Sequence, residues 1–275
     1  MSASFSARSY SQAVGALRAA GCVYAEEEAR LLTDEAQSEA DLADMVRRRA
    51  AGQPLEHVVG WAGFCGLRIA VDPGVFVPRR RTEFLVGRAA RLPRPGPVVV
   101  DLCCGTGALG AALAAVGGPV ELHATDLDPA AVRCARRNVA AAGGRVYQGD
   151  LLGPLPPALR GSVALLLANV PYVPTAEVGL LPPEARDHEA RLALDGGPDG
   201  LAVLRRVIAA APGWLATGGH LLFETTDRQV AVAVDAVTAA GLTAEVARCP
   251  ELAATVIIAT RPGGTQPPRA RPGMP

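Results

Sequence analysis

The chain has 275 residues, 49% of them hydrophobic, enough for one large or two small domains with an ample core. Its 27 basic residues, all arginine, cancel 27 acidic ones, so net charge implies no basic nucleic-acid face. The six cysteines, at positions 22, 65, 103, 104, 134 and 249, form no C-x-x-C pair and have no histidine spaced for zinc; with no signal-peptide pattern and no uninterrupted membrane-length apolar run, a reducing cytoplasm is expected, without disulfides or membrane contact.

Residues 1–52 read as a small helical module. Tyr10, Ala13, Val14 and Leu17 share one helical face, Leu42, Met45 and Val46 another, and Gly21 separates the first helix from the next. Glu26 and Arg30, four apart, are expected to form a solvated pair. Residues 53–77 read as a β-hairpin linker: Leu67, Ile69 and Val71 alternate against Arg68 and Ala70, and Asp72-Pro73-Gly74 makes a turn. From Pro78 a larger domain is expected to run to residue 260. Arg79-Arg80-Arg81 reads as a solvated turn, with an anionic partner as the alternative, and Thr82 as the cap of a helix carrying Phe84, Leu85, Ala89 and Leu92.

The next stretch, Val98-Val99-Val100-Asp101-Leu102-Cys103-Cys104-Gly105-Thr106-Gly107-Ala108-Leu109-Gly110, describes a buried strand, a tight turn and the first turn of a helix. Gly105 and Gly107 are expected to let backbone approach a ligand, and Asp101 to close the strand at the ligand edge of the sheet. Positions 105–110 also match the dinucleotide pattern G-x-G-x-x-G. The acid ahead of the glycines favours S-adenosylmethionine instead, because a carboxylate can meet that cofactor's cationic amino-acid end and would repel a pyrophosphate. Cys103 and Cys104 read as small side chains that fit the turn rather than as a redox pair. Strand 120–126 ends in Asp126, suited to accept from ribose hydroxyls, whereas Asp128 before Pro129 reads as a helix cap.

Helices 108–116 and 129–142 exit at Gly117-Gly118 and Gly143-Gly144. Short strands follow around Val146 and at 163–168, and Asp150 and Leu151, just past the first, are taken as further cofactor-binding positions. Helix 201–211 stops at Pro212, strand 221–224 follows, and helix 230–240 exits at Gly241. Strands 243–248 and 254–260 are joined too closely for a helix, so they should pair antiparallel. The expected fold is therefore α/β: a Rossmann-like, seven-stranded sheet with a reversed last strand, the class I S-adenosylmethionine-dependent methyltransferase arrangement, preceded by the helical module and hairpin linker. Residues 261–275, rich in Pro, Gly and Arg, are expected to be disordered.

Strand 163–168 delivers Asn169, Val170, Pro171 and Tyr172 to the ligand edge. This N-V-P-Y resembles the N-P-P-Y signature of the HemK/PrmC family, protein-glutamine methyltransferases that modify release factors. Arg48-Arg49-Ala50-Ala51-Gly52-Gln53-Pro54-Leu55, Val77-Pro78-Arg79, Thr82-Glu83, Arg186-Asp187-His188-Glu189 and Ala193-Leu194-Asp195-Gly196-Gly197-Pro198-Asp199-Gly200-Leu201 are similar to further family segments, so the likeness runs from about residue 47 to 260.

The resemblance implies that the Asn169 side-chain oxygen and the Val170 carbonyl accept the two N–H bonds of a substrate amide, with Tyr172 stacked on its plane. It also implies a peptide chain release factor as protein partner, its Gly-Gly-Gln loop as target, and no direct nucleic-acid binding. Val170 stands where the family has proline, the arginine run lacks the second proline of the usual P-R-P-x-T-E, and the helical module is short; these variants resemble an actinobacterial side branch of the family. Another protein or nucleic-acid amino target, or cofactor binding without turnover, are the alternative readings.

Overall fold

The structure, a computed structural model, describes residues 6–263. Four helices come first: α1 (Ala7–Ala19), α2 (Ala25–Glu35), α3 (Glu39–Ala50) and α4 (Leu55–Val59). They bury Leu17, Leu32, Leu42, Met45 and Val58 against one another. The helical part therefore extends past Gly52 into the stretch expected to be hairpin, with Pro54 entering α4 and Gly60, at φ 81°, ending it. Glu26 pairs with Arg18 across the α1–α2 turn, not with Arg30.

Strands β1 (Trp61–Phe64) and β2 (Leu67–Ala70) form an antiparallel hairpin. Its two-residue turn is Cys65-Gly66, with φ of 49° and 75°. Both residues are left-handed, as a tight hairpin turn requires, although a cysteine in the first place gave no sequence signal. Asn138 ties this hairpin to the main domain. Its Oδ1 accepts from the Ala70 N–H (2.9 Å), while its Nδ2 donates to the carbonyls of Ala70 (2.9 Å) and Thr106 (2.8 Å).

The main domain continues through α5 (Glu83–Arg91), β3 (Val98–Leu102), α6 (Ala108–Val116), β4 (Glu121–Asp126), α7 (Pro129–Val139), β5 (Arg145–Gln148) and β6 (Val163–Ala168). Then come α8 (Pro183–His188), α9 (Ala202–Ala210), β7 (Leu215–Thr225), α10 (Val230–Ala239), β8 (Thr243–Cys249) and β9 (Ala254–Thr260). The strands form one seven-stranded sheet in the order β5-β4-β3-β6-β7-β9-β8. β9 runs antiparallel to both β7 and β8, so the reversed last strand lies inside the sheet rather than at its edge.

Alternation along β3 sorts the two layers. Val98, Val100 and Leu102 join Leu204, Val207 and Val237 of α9 and α10 on one face. Val99 joins Leu85, Leu113 and Val139 of α5, α6 and α7 on the other. Buried between both layers, β6 is apolar at every position. Because β3 to β7 are parallel, the residues that follow β3, β4, β5, β6 and β7 emerge on one edge, and the chain switches direction across the sheet at β3.

The tail expected from residue 261 starts differently: the Arg261 N–H donates to the Gly219 carbonyl at 2.9 Å, and its carbonyl accepts from Gly218 at 2.9 Å. Residues 264–275 lie outside the described residues. No helix among the described residues is long and apolar enough to cross a membrane.

Replacing Asn138 by alanine leaves the Ala70 N–H without its partner and takes a donor from the Ala70 and Thr106 carbonyls, the first of which keeps only the Cys134 thiol. We expect a loss of about 2–3 kcal/mol in unfolding free energy, readable as a lowered denaturant midpoint at unchanged slope.

Candidate active site

A cavity of about 570 Å³ opens at the carboxyl edge of the sheet, within the range of small-ligand sites. Its wall brings together Cys103, Cys104, Gly105 and Thr106 from the turn after β3, Asp126 from β4, Asp150 and Leu151 after β5, and Asn169, Val170, Pro171 and Tyr172 after β6. Two residues expected to face a ligand, Asp101 and Gly107, do not line it.

The glycines of the turn have separate roles. At Gly105, with φ of 53°, an added Cβ would find its nearest neighbour 3.9 Å away, so the backbone is open toward the cavity. At Gly107, with φ of 75°, the same atom would lie 3.1 Å from Val139 and 3.2 Å from Ala135, both on α7. At Gly110 it would lie 2.9 Å from Leu122. Gly107 and Gly110 thus serve close packing of α6 against α7 and β4, and Gly105 alone serves approach by a ligand. Cys103 adopts φ 51° in the same turn. Burial pushes both the Cys103 and the Cys104 thiols up, which keeps them protonated and agrees with a packing role.

Asp101 is buried beneath the turn. Its Oδ2 accepts from the Gly110 N–H at 2.9 Å, and its Oδ1 has no hydrogen-bond partner. Burial raises its pKa to about 8, the Gly110 N–H opposing and the charge of Asp126 adding to the rise. Asp101 therefore pins the first turn of α6 through one oxygen, and its other oxygen is free beneath the turn.

Asp126 also acts on the turn. Its Oδ2 accepts from the Gly105 N–H at 2.8 Å and its Oδ1 from the Asp128 N–H at 2.9 Å. Burial raises its pKa, and these N–H donors oppose the rise. Asp128 caps α7 as expected, accepting from the Ala130 N–H at 2.7 Å. Asp150 is held from outside by Arg206 of α9 at 2.5 Å, and Leu151 takes a left-handed φ of 48° beside it.

The turn at 169–172 leaves one buried polar atom unpaired: Oδ1 of Asn169. An unpartnered buried amide oxygen at a cavity wall is available to accept a hydrogen bond from a ligand. The turn itself is braced by the segment 194–200. The Val173 N–H donates to the Leu194 carbonyl at 3.0 Å, and a Cβ on Gly196 would lie 2.6 Å from the Pro171 carbonyl oxygen. A Cβ on Gly200 would overlap the Tyr172 carbonyl oxygen, to which Gln229 Nε2 donates at 3.1 Å. Sequence periodicity carried no sign of this bracing, because 173–200 holds no long element; only the glycine density marked it.

The arginine run is not solvated throughout. Arg79 Nη2 donates to both oxygens of the buried Glu189 at 2.7 Å, and Oε1 of that carboxylate also takes the Val77 N–H at 3.1 Å. Arg81 Nε donates to Glu224 at 2.6 Å, and its Nη2 donates to the Tyr172 hydroxyl. Thr82 does not cap α5 with its side chain: its hydroxyl donates to the second Glu224 oxygen at 2.7 Å. Two arginines and a threonine thus spend their donors on two buried acids.

Comparison with known proteins gives four likenesses. Residues 66–179 match the Methyltransferase small domain family. A release factor glutamine methyltransferase of Mycolicibacterium smegmatis is 44% identical over 197 residues, 70% of this chain and 69% of that one. A 4-amino-L-phenylalanine/4-methylamino-L-phenylalanine methyltransferase of Streptomyces pristinaespiralis is 40% identical over 68% of this chain and 65% of that one. Among solved structures, a methyltransferase from Pyrococcus furiosus superposes with a TM-score of 0.56 at 17% identity, covering 80% of this chain and 99% of that one. That likeness, with the strand order, establishes the class I methyltransferase fold.

An acid whose pKa rises on folding binds its proton more tightly in the native state. The Asp101 contribution to stability is therefore complete below its ordinary value of 3.8 and is lost as pH rises toward about 8. Unfolding measured across that window should lose stability with rising pH in the wild type, and Asp101→Asn should flatten that decline. The glycines separate by a second measurement. Gly107→Ala should cost about 1–3 kcal/mol in stability from its left-handed φ and crowding; Gly105→Ala, facing open space, should lose more in cofactor affinity than in melting temperature.

Proposed function

The chain belongs to the family of the release factor glutamine methyltransferases, and we propose that it transfers a methyl group from S-adenosylmethionine to the side-chain amide nitrogen of a glutamine, in the Gly-Gly-Gln loop of peptide chain release factors. The observation that carries this reading is the unpaired, buried Oδ1 of Asn169 at the cavity wall.

An amide nitrogen is a weak nucleophile because its lone pair is delocalised into the carbonyl. Asn169 Oδ1 and the Val170 carbonyl accept its two N–H bonds, which orients the nitrogen and stabilises positive charge as it develops there. Tyr172 supplies a flat wall for the planar group. Bound S-adenosylmethionine supplies an electrophilic sulfonium methyl. The cavity's volume and donor set suit that cofactor: Gly105 leaves backbone open to it, the Asp126 carboxylate can accept from ribose hydroxyls, and Asp150 and Leu151 stand on the adjoining wall with Cys103, Cys104 and Thr106. Asp101 contributes by holding the turn through Gly110.

Val170 is compatible with this role. The group required of that position is its carbonyl, and the residue is buried in a turn braced by Gly196, Gly200 and Gln229, so the turn is held without a proline at 170.

A second acceptor class is supported by the relative from Streptomyces pristinaespiralis, whose name specifies an aromatic amine. Such an amine offers N–H donors of the same kind to Asn169 and Val170.

The test is transfer of labelled methyl from S-adenosylmethionine to purified release factors, to the same factors with the loop glutamine replaced, and to free 4-aminophenylalanine. Label that requires the loop glutamine is expected; label only on the free amine would replace this reading with the second. Asn169→Ala should lower transfer by about 10²–10³-fold, the scale for loss of an acceptor that acts in the transition state. Cofactor affinity should change by less than about threefold, roughly 0.6 kcal/mol; equal loss of both would remove Asn169 from the acceptor site.

A further inference from the structure

Behind the Tyr172 ring lies a chain of contacts that the chemistry above does not use. Glu224, at the end of β7, is buried with a side chain 4% exposed, and both its oxygens are committed, one to Arg81 Nε at 2.6 Å and one to the Thr82 hydroxyl at 2.7 Å. Arg81 passes the constraint on: it donates to the Tyr172 hydroxyl, and its guanidinium carbon sits 5.8 Å from the centre of that ring.

Arg81 and Tyr172 also line two cavities at once. One is the 570 Å³ site; the other, of about 390 Å³, opens among Thr225, Asp227, Arg248 and Pro250. The pair is the partition between them. A tyrosine ring with open volume on its far side has somewhere to go unless its hydroxyl is tethered, and the tether here ends on Glu224. Its neighbours do not supply another anchor: Gln229 holds the Tyr172 backbone carbonyl, not the ring.

We propose that Glu224 is a positioning residue for methyl transfer, which holds the Tyr172 ring on the substrate side of this partition by way of Arg81. The catalytic half of this statement rests on the methyl-transfer reading above; the structural half does not. Glu224 touches neither the acceptor amide nor the cofactor in that reading. It fixes the direction of the Arg81 fork, and the fork fixes the phenol. A neutral side chain at 224 leaves Arg81 without its counter-charge, and a free guanidinium beside the cavity turns toward water.

The chain has four tyrosines, so ring-labelled tyrosine gives a spectrum in which Tyr172 can be assigned from Tyr172→Phe. In Glu224→Gln the Tyr172 ring-carbon resonance should shift and broaden as the ring gains freedom. An unmoved resonance would overturn the proposal whatever the acceptor proves to be. In turnover, Glu224→Gln should lower kcat about tenfold, the loss of one charge-assisted hydrogen bond, with the KM for cofactor within about twofold. In a Tyr172→Phe background the same change should add little, since both remove one tether; full additivity would also sink it. Should Glu224→Gln fail to fold, Arg81→Gln, whose side chain is 42% exposed, reads the same coupling. Absence of methylation by the wild type on every release factor would count against the functional reading, while the resonance test still decides the tether.

Discussion

An amide oxygen buried without a partner is the constraint around which this molecule is arranged. Leaving such a group unpaired costs about 1–3 kcal/mol, and a native fold carries it only where something else requires it. Asn169 bears that cost at the end of β6, a strand apolar at all its positions and covered on both faces, so the backbone that presents the oxygen cannot yield toward water. The central place of β6 between β3 and β7 puts the same oxygen opposite the glycine turn after β3. Cofactor turn and acceptor turn face one another because two parallel neighbours end on the same edge.

Around that oxygen the turn is packed by close backbone contact. Gly196 and Gly200 lie against the carbonyls of Pro171 and Tyr172, closer than any side chain would permit. Gln229 reaches the Tyr172 carbonyl from a capping box at the start of α10, where it also accepts from Thr226. The turn is therefore specified by elements far from it in sequence. Packing stiffens it from outside, with valine at 170.

The acids follow a common logic. Asp101, Asp126, Glu189 and Glu224 are all turned inward, and each holds a loop at the cavity: Asp101 the start of α6, Asp126 the Gly105 turn, Glu189 the approach to Arg79, Glu224 the Arg81–Thr82 segment. Burial raises the pKa of Asp101, Asp126 and Glu189, and for Glu189 the Arg79 guanidinium opposes that rise. The even charge balance of the chain is thus partly internal, with arginines consumed by buried carboxylates rather than displayed as a surface patch.

Local pattern in the sequence determined the elements and the edge on which they end. The apolar runs at 98–100 and 163–168, the glycine exits of α6 and α7, the Asp128-Pro129 cap and the short link between β8 and β9 are all set by contacts within a few residues, so they are legible without a structure. The cavity residues that directly follow strands β3 to β6 were legible for the same reason; those from 74–82 and 181–195 were not. What only the tertiary structure decided is which partner each polar group found. Arg79 and Glu189 are 110 positions apart, and Arg81 and Glu224 are 143 apart, so nothing near either arginine distinguishes it from a solvated turn. The packing of Gly107 against α7 was hidden for a related reason. Whether a residue at a tight turn faces a ligand or a packed helix depends on a rotation that the neighbouring α7 imposes, and that helix lies some thirty residues further along the chain.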